Sequence, residues 1–171
     1  AGRIRRSTAL ATSLILMVGG LAASAIASDG KLFSMAVTFI LINLFYTFSA
    51  KHIPYLDILT NGTTHALRVL FGIQFAGGAL YWPLIVVWYV GSINLALFRR
   101  VHELWQGNRD ARPVLRQYAP KTLLAWYIVT LPLLLILGLV AGGITLVASL
   151  GWIGYTLLAA VGTRKSRFLY R

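Results

Sequence analysis

The chain has no cysteine and only four acidic residues among 171. The first absence excludes disulfides, thiolate metal sites and cysteine nucleophiles. The second leaves little material for carboxylate chemistry, and the sequence shows no P-loop, HExxH or Ser/His/Asp pattern in its place. Charge of any kind is scarce. Asp, Glu, Lys and Arg make up 12% of the residues, against roughly 25% in a soluble domain.

Apolar residues take up the difference, at 58% of the chain. They fall in long uncharged runs, and about 20 such residues suffice to cross a hydrocarbon core. The runs are continuous and do not alternate at period two, which excludes a membrane β-barrel. The expected fold class is all-α, a polytopic transmembrane helical bundle forming a single domain over residues 1–171. Six spans can be read, at about 7–27, 32–48, 54–75, 82–98, 122–140 and 144–161. Pro132 should kink the fifth, and a tight "AGG" joins it to the sixth.

Charge placement sets an orientation. Arg3, Arg5, Arg6, Lys51, Arg99, Arg100, Arg109, Arg112, Arg116, Lys121, Arg164, Lys165, Arg167 and Arg171 all fall on one side of this six-span plan. The other side has Lys31 alone, and Arg68 lies inside a span. By the positive-inside rule both termini are expected in the cytoplasm, with the chain in the inner (plasma) membrane. The net charge of +12 is thus topogenic and does not point to nucleic acid, with a secondary attraction for membrane lipids carrying anionic headgroups. Residues 99–121 form the only sizeable extramembrane segment in this plan. Tyr81, Trp82, Trp105 and Tyr170 fit interfacial aromatic belts.

The third span is the odd one. At 100° per residue, Asp57, Asn61, Thr64, His65, Arg68 and Gly72 fall within an arc of roughly 100°. Arg68 lies about 16 Å along the helix from Asp57. At that depth an arginine costs on the order of 3 kcal/mol unless it faces protein or a wet cavity. The stripe is therefore expected to point into the bundle. Two readings stand: an internal network in which Arg68 is satisfied by carbonyls, Asp57 or helix dipoles, or the wall of a substrate-facing cavity.

A second cluster closes the fourth span, in "LFRRVHELW". Arg99 and Glu103 are spaced i,i+4 and should pair, with His102 adjacent. One carboxylate among arginines could bind a phosphate or a metal–diphosphate group. The plainer reading is a solvated basic flank with one surface ion pair.

Taken together, these segments resemble the UbiA superfamily of intramembrane prenyltransferases. "GRIRRSTALATSLILMVGGLA" is similar to the segment that opens the family's third helix, and "LFYTFSAKHIPYLDILTNGTTHALRVLFG" to a Y(S/T)…LK…D…R…G segment. The matching positions are Tyr46, Lys51, Asp57, Arg68 and Gly72. "KH", "FRRVHEL", "LRQY" and "FLYR" most resemble the decaprenyl-phosphate phosphoribosyltransferase branch. The chain looks like helices three to eight of a nine-helix bundle, without the first Asp-rich motif.

The resemblance implies a membrane transferase acting on an isoprenoid lipid or polyprenyl phosphate at the cytoplasmic face. It also implies Mg²⁺, whose main ligand motif is missing here, so this piece alone is expected to be inactive. By the same resemblance Asp57, Lys51 and Glu103 would be catalytic, with Glu103 also a metal ligand. Asn61, His65, Arg68, Arg99 and Arg100 would bind substrate. The alternative is a non-catalytic transmembrane accessory subunit of a larger membrane complex, derived from this family.

Overall fold

The computed structural model describes residues 5–27, 30–106 and 113–169, the side chains of Arg6, Pro113 and 162–169 apart. Expectations for Arg3, Arg6, Arg109, Arg112, Arg164, Lys165, Arg167, Tyr170 and Arg171 fall on side chains outside that set. Six α-helices follow one another: α1 (Arg6–Ile26), α2 (Lys31–Phe48), α3 (Leu56–Phe75), α4 (Trp82–Trp105), α5 (Pro120–Ala141) and α6 (Gly143–Leu169). Short 3-10 turns cover Ala50–His52 and Pro113–Gln117. The described residues contain no strand.

Five of these helices are long and apolar enough to cross a membrane. The exception is α3. Its 20 residues would span about 30 Å, but Asp57, Asn61, His65 and Arg68 dilute its hydropathy. The expectation of an all-α chain with membrane-length apolar helices is met by five helices; α3 has the length of a span but carries a polar stripe. α4 runs on to Trp105, beyond the expected end at 98. Leaving an apolar run does not end a helix when the next residues, Arg99, Arg100 and Glu103, are themselves good helix formers. α5 continues through Pro132 without a break in its assignment.

Packing centres on α4, which contacts α3, α5 and α6. Its most apolar stretch is 56% buried, against 6% for α1 and for α2. Glycines permit the close approaches. A Cβ added at Gly91 would lie 2.6 Å from the Trp152 ring of α6, and one at Gly138 would lie 2.6 Å from Ser149 Oγ. Trp152 in turn stands edge-on to Trp88 at 5.6 Å. Small residues at such crossings are how membrane helices gain van der Waals contact, because lipid tails are as apolar as leucine and supply little drive of their own. Gly142 and Gly143 have φ of 64° and 50°, left-handed values that let α5 reverse into α6 within two residues. The Tyr81 hydroxyl donates to the Ala141 carbonyl at 3.1 Å and ties the α3–α4 connection to that turn.

The principal apolar core lies at the other end of the bundle. Ile58, Leu97, Val101, Leu104, Val114, Leu115, Tyr118 and Leu123 form it. Residues 99–121 are thus not uniformly loop: their first part continues α4 to Trp105, and Val114 and Leu115 are each 1% exposed. Val114, Leu115 and Tyr118 are covered because Ile58 of α3 and Leu97, Val101 and Leu104 of α4 pack in the same apolar cluster.

Candidate functional site

The site begins with a strained residue. Tyr55, just before α3, has φ of 66°, a left-handed value uncommon outside glycine. Two contacts hold it there. Its N–H donates to the Tyr118 hydroxyl at 2.8 Å, and the two rings meet edge to face at 5.2 Å. The bend sets Asp57 in the first turn of α3, where the helix dipole favours a negative charge.

Asp57 is 0% exposed. Its Oδ2 accepts from Arg100 Nε of α4 at 2.9 Å, and its Oδ1 accepts from the Tyr118 hydroxyl. Arg100, 5% exposed, also donates from Nη1 to Glu103 Oε2 at 3.1 Å. One guanidinium therefore serves two carboxylates, and one tyrosine links three segments of chain. Burial pushes the Tyr118 phenol above its usual pKa, and donation to Asp57 adds to the rise. The hydroxyl stays protonated and remains a donor.

This arrangement corrects one expectation. Glu103 pairs with Arg100 at i,i+3, while Arg99 is exposed. The two spacings place Glu103 equally well on the helix surface. What separates them is α3, because only Arg100 turns toward Asp57.

The remaining polar residues of α3 stay more open. Asn61 and His65 are half-buried, and His65 lies within electrostatic reach of both Arg68 and Arg99. Lys51 is half-buried in the first 3-10 turn. Thr64 is buried, as expected of an inward stripe. Arg68 is not: it is exposed, with its guanidinium 5.5 Å from the centre of the Phe39 ring of α2. The stripe thus divides into a closed network at Asp57 and a more open strip of Asn61, His65 and Arg68, with Arg99 of α4 exposed as well.

The closed network can position helices and hold a proton on Tyr118. It does not fit a divalent cation. Mg²⁺ takes hard oxygen ligands from one or two carboxylates plus substrate phosphates, and here Arg100 lies against both described carboxylates. No group of three His, Cys, Asp or Glu side chains that could hold a metal occurs among the described residues. Metal binding at Glu103, as the resemblance implies, would place the cation beside the Arg100 guanidinium, which donates to Oε2.

Tyr118 and Tyr55 were not legible as site residues. The available signal was "PVLRQYAP", three large apolar or aromatic residues between prolines in a segment otherwise basic. Comparison with protein-family models, curated proteins and solved structures finds no match for this chain.

Proposed function

We propose that this chain is the core of a UbiA-like transferase of the inner (plasma) membrane, acting on a polyprenyl phosphate or related isoprenoid lipid at its basic end. In this reading that end and both termini face the cytoplasm. The supporting observation is the fastening of α3 to α4. Asp57 and Arg100, from the two segments that carry the resemblance, are joined by a buried ion pair of 2.9 Å. That pair fixes α3 against α4 beside Lys51, Asn61, His65 and Arg99. Lys51 and Arg99 would bind phosphate oxygens and stabilise charge as a diphosphate departs, the role of preorganised cations in phosphate chemistry. Asn61 and His65 would orient the lipid phosphate. Asp57 and Arg100 would act as positioning residues, since both are already engaged with each other.

The test is transfer from phosphoribosyl pyrophosphate to a polyprenyl phosphate by the protein purified from its native membrane. Lys51→Ala and Arg99→Ala should each lower the rate by about tenfold or more, the range expected when one charge-assisted contact is lost. Unchanged rates in both variants would sink the reading. Labelling of a cysteine introduced at Gln106, which is exposed, checks orientation. It should react with an impermeant maleimide in inverted vesicles and not in right-side-out ones.

A second reading has its own observation. Asp57 is completely enclosed and both its oxygens are bonded, as in a carboxylate kept for structure. A non-catalytic subunit of a membrane complex would show a stoichiometric partner by native mass spectrometry and no turnover of its own.

A further inference from the structure

Arg68 presents an unbalanced charge. The carboxylates among the described residues, Asp57 and Glu103, are both held by Arg100. Arg68 meets neither, and among the described residues its charged group rests only on the face of Phe39. A cation–π contact is worth about 0.5–2 kcal/mol, less than the roughly 3 kcal/mol an arginine costs deep in a membrane helix. An anion would close that deficit. A guanidinium binds carboxylate or phosphate through two parallel hydrogen bonds.

The surroundings of Arg68 say what kind of molecule would carry the anion. It borders a cavity of about 600 Å³ between α1, α2 and α3, within the roughly 300–1,000 Å³ of small-molecule sites. Leu16, Met17, Met35, Phe39 and Phe71 supply its apolar walls, and Gly20 widens it. The wall is reachable from the lipid, since Leu16 is 70% and Met17 37% exposed. A cavity with apolar walls and one cation at its edge matches a chain with one anionic end.

We propose that this cavity is a binding site for a single-chain anionic amphiphile, with its hydrocarbon between α1 and α2 and its carboxylate or phosphate on Arg68. The site is about 16 Å along α3 from Asp57. A lipid bound there would not place its headgroup among the groups at the basic end. The inference therefore stands whether or not the chain is a transferase.

The test uses the full chain in an uncharged maltoside detergent, with tritiated palmitate, hexadecyl phosphate and hexadecanol as probes and inorganic phosphate as competitor. At least one of the two anionic amphiphiles should bind saturably. Binding of both, or of one alone, identifies the anion as either class, as phosphate or as carboxylate. Hexadecanol should bind about tenfold more weakly or worse, as expected for one lost charge-assisted contact. Inorganic phosphate at equal concentration should not compete.

Arg68→Gln should weaken anionic binding by a similar factor, and Arg68→Lys by less. Gly20→Phe should abolish it by filling the cavity. A Cβ at Gly20 meets nothing within 4 Å, and melting of the variant beside the parent without ligand shows whether the fold is kept. The proposal fails if hexadecanol binds as tightly as the anions, or if Arg68→Gln binds them as the parent does. Should Arg68→Gln not fold, the comparison of alcohol with anions on the parent chain and the Gly20→Phe result decide.

Discussion

Replacing Asp57 by asparagine tests the network most directly. The substitution keeps the side chain's shape and removes its charge. Arg100 would keep Glu103 at 3.1 Å, but that partner is 23% exposed and repays less than a buried carboxylate. Removing one member of a buried pair typically costs about 3–5 kcal/mol. With Glu103 compensating in part, Asp57→Asn should fall near the lower bound, at about 3 kcal/mol. Arg100→Gln should cost about as much, because it strands Asp57 with only the Tyr118 hydroxyl.

The informative quantity is the double variant. Once one charge is gone, removing the other relieves an unpaired buried ion. The pair of substitutions together should therefore cost about 4 kcal/mol rather than about 6, a coupling of about 2 kcal/mol and within the range for contacting residues. Unfolding in mild detergent, followed by tryptophan fluorescence, gives each value. By the scaling for soluble domains of this size, 3 kcal/mol lowers the melting temperature by about 6–12 °C. Additive losses, or less than about 1 kcal/mol for Asp57→Asn, would refute the claim that this ion pair fastens α3 to α4.

Two further outcomes follow from other contacts. Gly91→Ala should destabilise by about 1–3 kcal/mol, because its new methyl overlaps Trp152 at 2.6 Å, whereas Gly19→Ala meets nothing within 4 Å and should be neutral or slightly stabilising; thermal unfolding of the two variants side by side checks this. Tyr118 should titrate above the ordinary tyrosine value of 10.0. Since its folded pKa is raised, its contribution to stability is complete below pH 10 and fades as pH climbs through the folded value. The difference in tyrosinate absorbance between the parent and Tyr118→Phe should accordingly develop later than that of free tyrosine, and a difference centred at pH 10 would count against the burial of the phenol.

Some of this was readable from one dimension and some was not. Hydropathy located the helices, because an apolar run of sufficient length has few alternatives in lipid. The helical period placed Asp57, Asn61, Thr64, His65 and Arg68 on one arc of α3. The same period left Arg99 and Arg100 unresolved as partners of Glu103, since i,i+3 and i,i+4 neighbours are equally close. Val114, Leu115 and Tyr118 were hidden for another reason. A short apolar cluster between basic residues carries no periodic signal, and its burial depends on a groove made by α3 and α4, far away in sequence.

The sequence by itself determined that the chain is helical, that its helices are membrane-like in length and composition, and that its third helix carries a polar face. These are local properties, fixed by side-chain type and by 3.6 residues per turn. Only the tertiary structure decided how that face is used. Asp57 is sealed by Arg100 and Tyr118, while Arg68, on the same arc, is left beside an open apolar cavity. The difference arises because burial and pairing belong to what packs against a helix, and neighbours on one face of α3 meet different partners along its length.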